Sequence, residues 1–220
     1  LAGQFKLGVI YTIGPYLLPN LIPKLRETAP KLKLIIEENF TANLFQSLKQ
    51  GKLDAIVISY PFDEAGIDTA ALYEEPFVVA LPRNHEWTER EHIRPEDLVS
   101  EDLMLLGAGH CFREQVIEAC PNCMSGDSEL TRTLEGGSLE TIRHMVAAGT
   151  GITVLPRTSV LHNRNHQSLI ETRPFTRPAP SRTVAIAWRK HYPRKEAIAT
   201  VRDTIQASPL EGVDIIRSVA

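Results

Sequence analysis

Cys111 and Cys120 stand nine positions apart at the two ends of Cys111-Phe112-Arg113-Glu114-Gln115-Val116-Ile117-Glu118-Ala119-Cys120, a stretch that reads as one helix. Nine residues of unbroken helix separate Cα atoms by roughly 13 Å, and nine steps of about 100° leave the side chains on opposite faces. A disulfide needs Cα atoms within about 7 Å. Bridging the pair would therefore require the helix to come apart, wholly or in part, so that oxidation of two sulfurs becomes a local change of shape.

The two sulfurs are not equivalent. Gly107-Ala108-Gly109 interrupts the apolar run Leu103-Met104-Leu105-Leu106, so a helix should begin near His110 and aim free backbone N–H groups at Cys111. That helix start, with His110 before it and Arg113 two residues on, favours the thiolate, the form that attacks peroxide. Cys120 lies at the other end, where the helix dipole opposes ionisation. The expected order is attack by Cys111, formation of a sulfenic acid, and condensation with Cys120. The plain alternative is two unconnected thiols, one packed as a small hydrophobe and one capping a surface helix.

The elements that must position these residues alternate. Phe5–Tyr11, Lys31–Asn39 and Asp54–Tyr60 read as strands, with helices at Pro15–Thr28 and Ala42–Gly51 between them. A second set contains strands Phe77–Leu81, Leu103–Leu106 and Ile152–Leu155, the cysteine helix, and a helix over Ser138–Gly149. Arg173-Pro174-Phe175-Thr176-Arg177-Pro178-Ala179-Pro180 reads as a stiff crossover into the strand Thr183–Trp188 and a closing helix Arg194–Ala207. Such alternation predicts an α/β fold of parallel βαβ units. Crossings near Pro76 and Pro178 divide it into two Rossmann-like lobes, residues 1–76 with 180–220 and residues 77–179, in a periplasmic-binding-protein-like arrangement with ligand between the lobes. In such sheets ligands bind beyond the carboxyl ends of the strands. The turns that matter are then those at Thr12, Thr41, His110-Cys111 and Ser138.

Composition sets outer bounds. At 220 residues and 43% apolar content the chain can bury one sizeable core or two small ones. The apolar runs, such as Ala55-Ile56-Val57-Ile58, are of strand length, and no basic leader precedes a long apolar segment, which points to a cytoplasmic protein without a membrane partner. Three cysteines fit a reducing compartment. A net charge of −3 argues against nucleic-acid binding by this chain itself.

Gly109-His110-Cys111 with Cys120, the opening Tyr11-Thr12-Ile13-Gly14-Pro15-Tyr16-Leu17-Leu18-Pro19, and Ser138-Leu139-Glu140-Thr141-Ile142-Arg143 running into Met145-Val146-Ala147-Ala148-Gly149-Thr150-Gly151-Ile152-Thr153 together resemble the regulatory domain of the peroxide-sensing LysR-type transcriptional regulators. The likeness runs through nearly the whole chain in order. The cysteine segment is its specific part, since the other two segments alone indicate only the wider LysR type.

The resemblance implies hydrogen peroxide as the ligand, no cofactor and no metal, and a signal rather than an enzymatic turnover. It also implies a DNA-binding domain ahead of residue 1, self-association as a homodimer or homotetramer, promoter DNA bound through the absent domain, and RNA polymerase as a further candidate partner. By position, Thr12, Thr41, His110 and Arg182 match residues that line the peroxide pocket. Read alone, the two threonines could cap helices, His110 could sit in a turn, and Arg182 could lie on the surface. A LysR-type domain that binds a small organic anion, with incidental cysteines, is the alternative. A thiol peroxidase fits poorly, because a helix would have to unfold and refold in each cycle.

Two residues depart from the family pattern. Glu114 stands where a shorter Asp is common, and Cys123 creates Cys120-Pro121-Asn122-Cys123. A zinc site would need Cys111 and Cys120 on one ion from opposite helix ends, and a thioredoxin-like motif would need Cys120 at a helix start. Cys123 is expected to be a spare resolving thiol or an exposed bystander. Trp87 and Trp188 read as packing residues, His144 as packing or surface, and His162 and His166 as solvated.

Overall fold

Phe5, Leu7, Val9 and Ile10 are all buried in the first strand, β1 (Gly3–Ile10), and the elements that follow pack around it. Helix α1 (Gly14–Thr28) carries Pro15 in its first turn, where a missing N–H leaves no bond unmade. It turns Tyr16, Leu17, Leu21 and Leu25 inward, the last three at four-residue spacing. Strand β2 (Leu32–Asn39) returns parallel to β1, in register from Gly3 opposite Leu32 to Ile10 opposite Asn39. Helix α2 (Thr41–Lys49) buries Leu44 and Leu48, and the fully buried β3 (Ala55–Ser59) runs parallel to β1 on its other side.

The computed structural model describes residues 2–124, 135–161 and 170–217, so His162 and His166 lie outside the described residues. The chain divides into two compact units, Leu1–Glu75 with Thr183–Ala220 and Pro76–Arg182. It passes from one unit to the other within β4 (Ile67–Pro82) and again within β9 (Ser181–Arg189). Before β9 come β5 (Leu103–Leu106), α3 (Cys111–Ala119), β6 (Glu135–Gly136), α4 (Leu139–Ala147), β7 (Ile152–Pro156), α5 (Arg157–Leu161) and β8 (Ile170–Pro174). After it come α6 (Lys195–Ala207) and the short β10 (Asp214–Ile215). Among the described residues no helix is long and apolar enough to cross a membrane.

Each unit combines parallel strands with an antiparallel strand that closes them off, so the sheets are mixed where parallel βαβ units were expected. In the first, β9 runs antiparallel to β3, with Ala55 opposite Trp188 and Ser59 opposite Val184. In the second, β5 lies parallel to both β6 and β7, while β4 runs antiparallel to β7 and β8. The crossover expected at Arg173–Pro180 begins inside a strand, because β8 pairs with Val78–Pro82. Its sequence, Ile170-Glu171-Thr172-Arg173-Pro174, carries too many polar residues to announce a strand. The first half of β4, which is half-buried along Ile67–Ala71, is similarly quiet.

Close approach explains the Gly149-Thr150-Gly151-Ile152 segment. A Cβ on Gly151 would press into the Asp102 carbonyl oxygen, the same atom that accepts from Ile152 N at 3.0 Å where β5 and β7 begin to pair. We predict that Gly151→Ala destabilises the protein by about 1–3 kcal/mol through overpacking, a Tm loss of roughly 2–12 °C. A thermal melt within a degree of wild type would show that β5 and β7 can part there without penalty.

Candidate functional site

The four residues of β5 are all buried, and the chain leaves its carboxyl end through a turn in which Gly107 N donates to Gly136 O at 3.1 Å. Gly109 has φ +96°, in the left-handed region that favours glycine. His110 follows with extended backbone as the residue that precedes the helix, and Cys111 is the first residue of α3. Phe112 and Val116, four apart, turn inward. Cys111, one step round the helix, is left partly exposed. Cys120 caps the other end, its N–H bonded to Val116 O at 3.1 Å, and is buried. All three thiols are free. Across the nine residues of α3 the two sulfurs are held apart by roughly 13 Å of helix.

The surroundings of Cys111 differ in part from the expectations above. Arg113 Nη1 donates to Leu106 O at 2.7 Å and so ties the helix back to β5. His110 is 8% exposed. Burial pushes its pKa below the ordinary histidine value of 6.5, against the pull of a hydrogen bond with the Gly137 backbone. At neutral pH its imidazole is therefore uncharged, so it offers hydrogen bonding to its surroundings and no positive charge to the sulfur. Arg182 is not a surface residue. It is 2% exposed, and its guanidinium lies 5.3 Å from the centroid of the Phe112 ring. A second partner of Phe112 is Phe77, edge-on at 5.0 Å. Cys123 is buried as well, so it is no exposed bystander.

In the other unit, Thr12 and Thr41 lie two residues beyond the registered pair Ile10–Asn39, at the carboxyl edge of β1 and β2. Tyr11 and Phe40 join the two turns, with rings edge-to-face at 5.2 Å. Neither threonine is the residue that precedes its helix: that position belongs to Ile13 and to Phe40, without a side-chain cap in either case. Thr12 is buried, and the Thr41 hydroxyl is buried with no hydrogen-bond partner among the described residues. Ser138, by contrast, is a cap, its Oγ accepting from Thr141 N at 3.1 Å. The structure thus groups Thr12 with Thr41 in one unit, and His110, Cys111, Cys120 and Arg182 in the other.

A family model described as the LysR substrate binding domain matches residues 1–209. The chain belongs to that family. Its fold is the periplasmic-binding-protein-like α/β fold of LysR substrate-binding domains. A hydrogen peroxide-inducible genes activator from Pectobacterium carotovorum is 37% identical over 206 residues, which cover 94% of this chain and 67% of the relative. Among solved structures, the reduced form of OxyR from N. meningitidis is 44% identical, with a TM-score of 0.92 over 97% of this chain and 99% of that one. An oxidised form of OxyR matches at 35% identity and TM-score 0.81, over 94% of this chain and 96% of that one.

Sequence reasoning placed both cysteines of this LysR-family domain and missed the packing beside them. The signal for Phe112 was its four-residue spacing from Val116. No signal in the sequence pointed to Arg182 as its partner.

The lowered pKa of His110 carries a sign. The unfolded chain takes up a proton near pH 6.5 and the folded one only at lower pH, so this residue's contribution is retained above pH 6.5 and lost as pH falls towards the folded value. We predict that the denaturation midpoint of wild type falls between pH 7.5 and pH 5.5, and that His110→Gln falls less. Equal slopes in urea melts of the two proteins would contradict the buried neutral state.

Proposed function

We propose that this chain is the regulatory domain of a peroxide-responsive LysR-type transcriptional regulator, with Cys111 the thiol that reacts and Cys120 the thiol that resolves. The observation that carries this reading is the asymmetry of α3. Cys111 is partly exposed on its first turn, while Cys120 is buried at its far end. Cys111 thus stands at the positive end of the α3 dipole. The Cys111 sulfur attacks one oxygen of hydrogen peroxide, the O–O bond breaks, and hydroxide leaves as the sulfenic acid forms. The Cys120 sulfur then displaces that hydroxyl, forming the disulfide and releasing water.

The second step cannot occur across an intact α3, so it couples chemistry to shape. In a homodimer or homotetramer the change would alter subunit arrangement and, through an N-terminal DNA-binding domain, engagement of promoter DNA. The names of the relatives support this reading, as does the existence of both reduced and oxidised forms among the structural matches. Oxidation here is a signal made once per cycle rather than a turnover. Arg182, with its guanidinium 5.3 Å from the Phe112 ring centroid, packs against the first turn of α3, and the resemblance assigns it to the peroxide pocket. The resemblance assigns Thr12 and Thr41 to peroxide as well, and the unpartnered Thr41 hydroxyl is consistent with that.

We predict that Cys111→Ser abolishes the peroxide response, whereas Cys120→Ser still reacts and accumulates a dimedone-reactive sulfenic acid at Cys111. Thr41→Val or Arg182→Ala should slow Cys111 oxidation roughly ten- to hundredfold, the effect of losing one bond of about 1.5–3 kcal/mol to a developing charge. Equal loss of the initial reaction in both cysteine variants would overturn the roles. Binding of a carboxylate effector with no response to oxidant would favour the organic-anion alternative.

A further inference from the structure

Cys123 has no part in the reaction just described, yet it is built into the same corner. Beyond Cys120 the chain makes a tight turn, Pro121–Met124, in which Cys123 N donates to Cys120 O at 3.1 Å and the Cys123 thiol donates to the same carbonyl. A turn closed in this way holds its end Cα atoms within about 7 Å, the span a disulfide requires. Cys120 and Cys123 are 3% and 7% exposed. Burial and the neighbouring Cys120 thiol push the Cys123 thiol up to about 12, so in this fold it stays protonated and does not compete for peroxide. In the reduced fold, therefore, Cys120–Cys123 meets the Cα span of a disulfide with every helix in place, and Cys111–Cys120 does not.

Resting on the roles proposed for Cys111 and Cys120, we propose that Cys123 is a third redox residue: it takes Cys120 out of the Cys111–Cys120 disulfide, leaving a Cys120–Cys123 disulfide and a free Cys111 at the head of a re-formed α3. When Cys120 is drawn towards Cys111, the contacts that keep the Cys123 thiol protonated are lost. The Cys123 thiolate attacks Cys120 Sγ, the Cys111–Cys120 bond breaks, and its electron pair leaves on Cys111 as a thiolate, which can take up the proton that Cys123 gave away. One disulfide is exchanged for another, with no oxidant or reductant consumed.

Two features set the direction. The leaving sulfur returns to the first turn of α3, at the positive end of the helix dipole. The new bond also lets the nine residues of α3 pack again, which the old one forbids. The domain would then regain its reduced shape while keeping the oxidation, and Cys111 would be able to meet a second peroxide.

The test follows thiol connectivity in time. The protein is given one equivalent of hydrogen peroxide, quenched by acid at intervals, alkylated and peptide-mapped. Wild type should show Cys111–Cys120 first, then its conversion to Cys120–Cys123 with Cys111 alkylated, and a second equivalent with dimedone should label Cys111 in molecules that carry Cys120–Cys123. In both Cys123→Ser and Cys123→Ala the Cys111–Cys120 disulfide should persist as the end product. A stable Cys111–Cys120 end product in wild type, with no Cys120–Cys123 peptide, overturns the proposal.

A second arm needs no peroxide chemistry at Cys111. Diamide treatment of Cys111→Ser should close Cys120–Cys123 with an unchanged far-UV circular dichroism spectrum, and failure to close it overturns the proposal even where Cys111–Cys120 forms normally in wild type. Failure of peroxide to oxidise Cys111 at all, with diamide closure intact, overturns the underlying roles instead.

Discussion

An intact helix between two cysteines nine residues apart cannot be bridged, and everything proposed for this domain depends on that constraint. The rise of about 1.5 Å per residue places the sulfurs beyond the reach of any disulfide geometry. The reduced state is thereby protected from accidental closure. Once a sulfenic acid forms on Cys111, however, it can be resolved by Cys120 only through a change in the backbone, and a chemical event of one oxygen atom becomes a structural one.

How readily α3 gives way follows from how it is held. A nine-residue helix is marginal by itself, so its stability comes from the faces it buries. Its buried residues, Phe112 and Val116, both lie in the first six positions, whereas α1 buries five residues along its length. Phe112 is the firm anchor, stacked by Arg182 and met edge-on by Phe77, and Arg113 ties the same end to β5. Beyond Val116 come the half-buried Ile117, the exposed Glu118 and the half-buried Ala119 before Cys120. Release therefore favours the carboxyl-terminal turns, with Cys120 travelling towards a Cys111 that stays in place.

Much of this was legible in the sequence because it depends on spacing and local punctuation. The Gly107-Ala108-Gly109 break located the start of α3, and the count from Cys111 to Cys120 gave the obstacle to the disulfide. The alternation of apolar runs located most strands to within a residue or two. What escaped was non-local. Nothing in Ile170-Glu171-Thr172-Arg173-Pro174 announces a strand until β4 is beside it, and antiparallel β9 cannot be told from a parallel strand by its own residues. Burial of Arg182, of His110 and of Cys123 depends on what the rest of the chain brings to them, so the surface alternative for Arg182 and the exposed alternative for Cys123 gave way, and the burial of His110 was not legible.

Amide hydrogen exchange over α3 tests the central claim most directly, comparing reduced protein with a form shown by peptide mapping to hold the Cys111–Cys120 disulfide, kept there by Cys123→Ser. Loss of protection should be greatest between Gln115 and Cys120, while α1 and α4 exchange as before. A complete Cys111–Cys120 disulfide with unchanged protection over Cys111–Cys120 would contradict the account, because the two sulfurs would then have met without the helix opening.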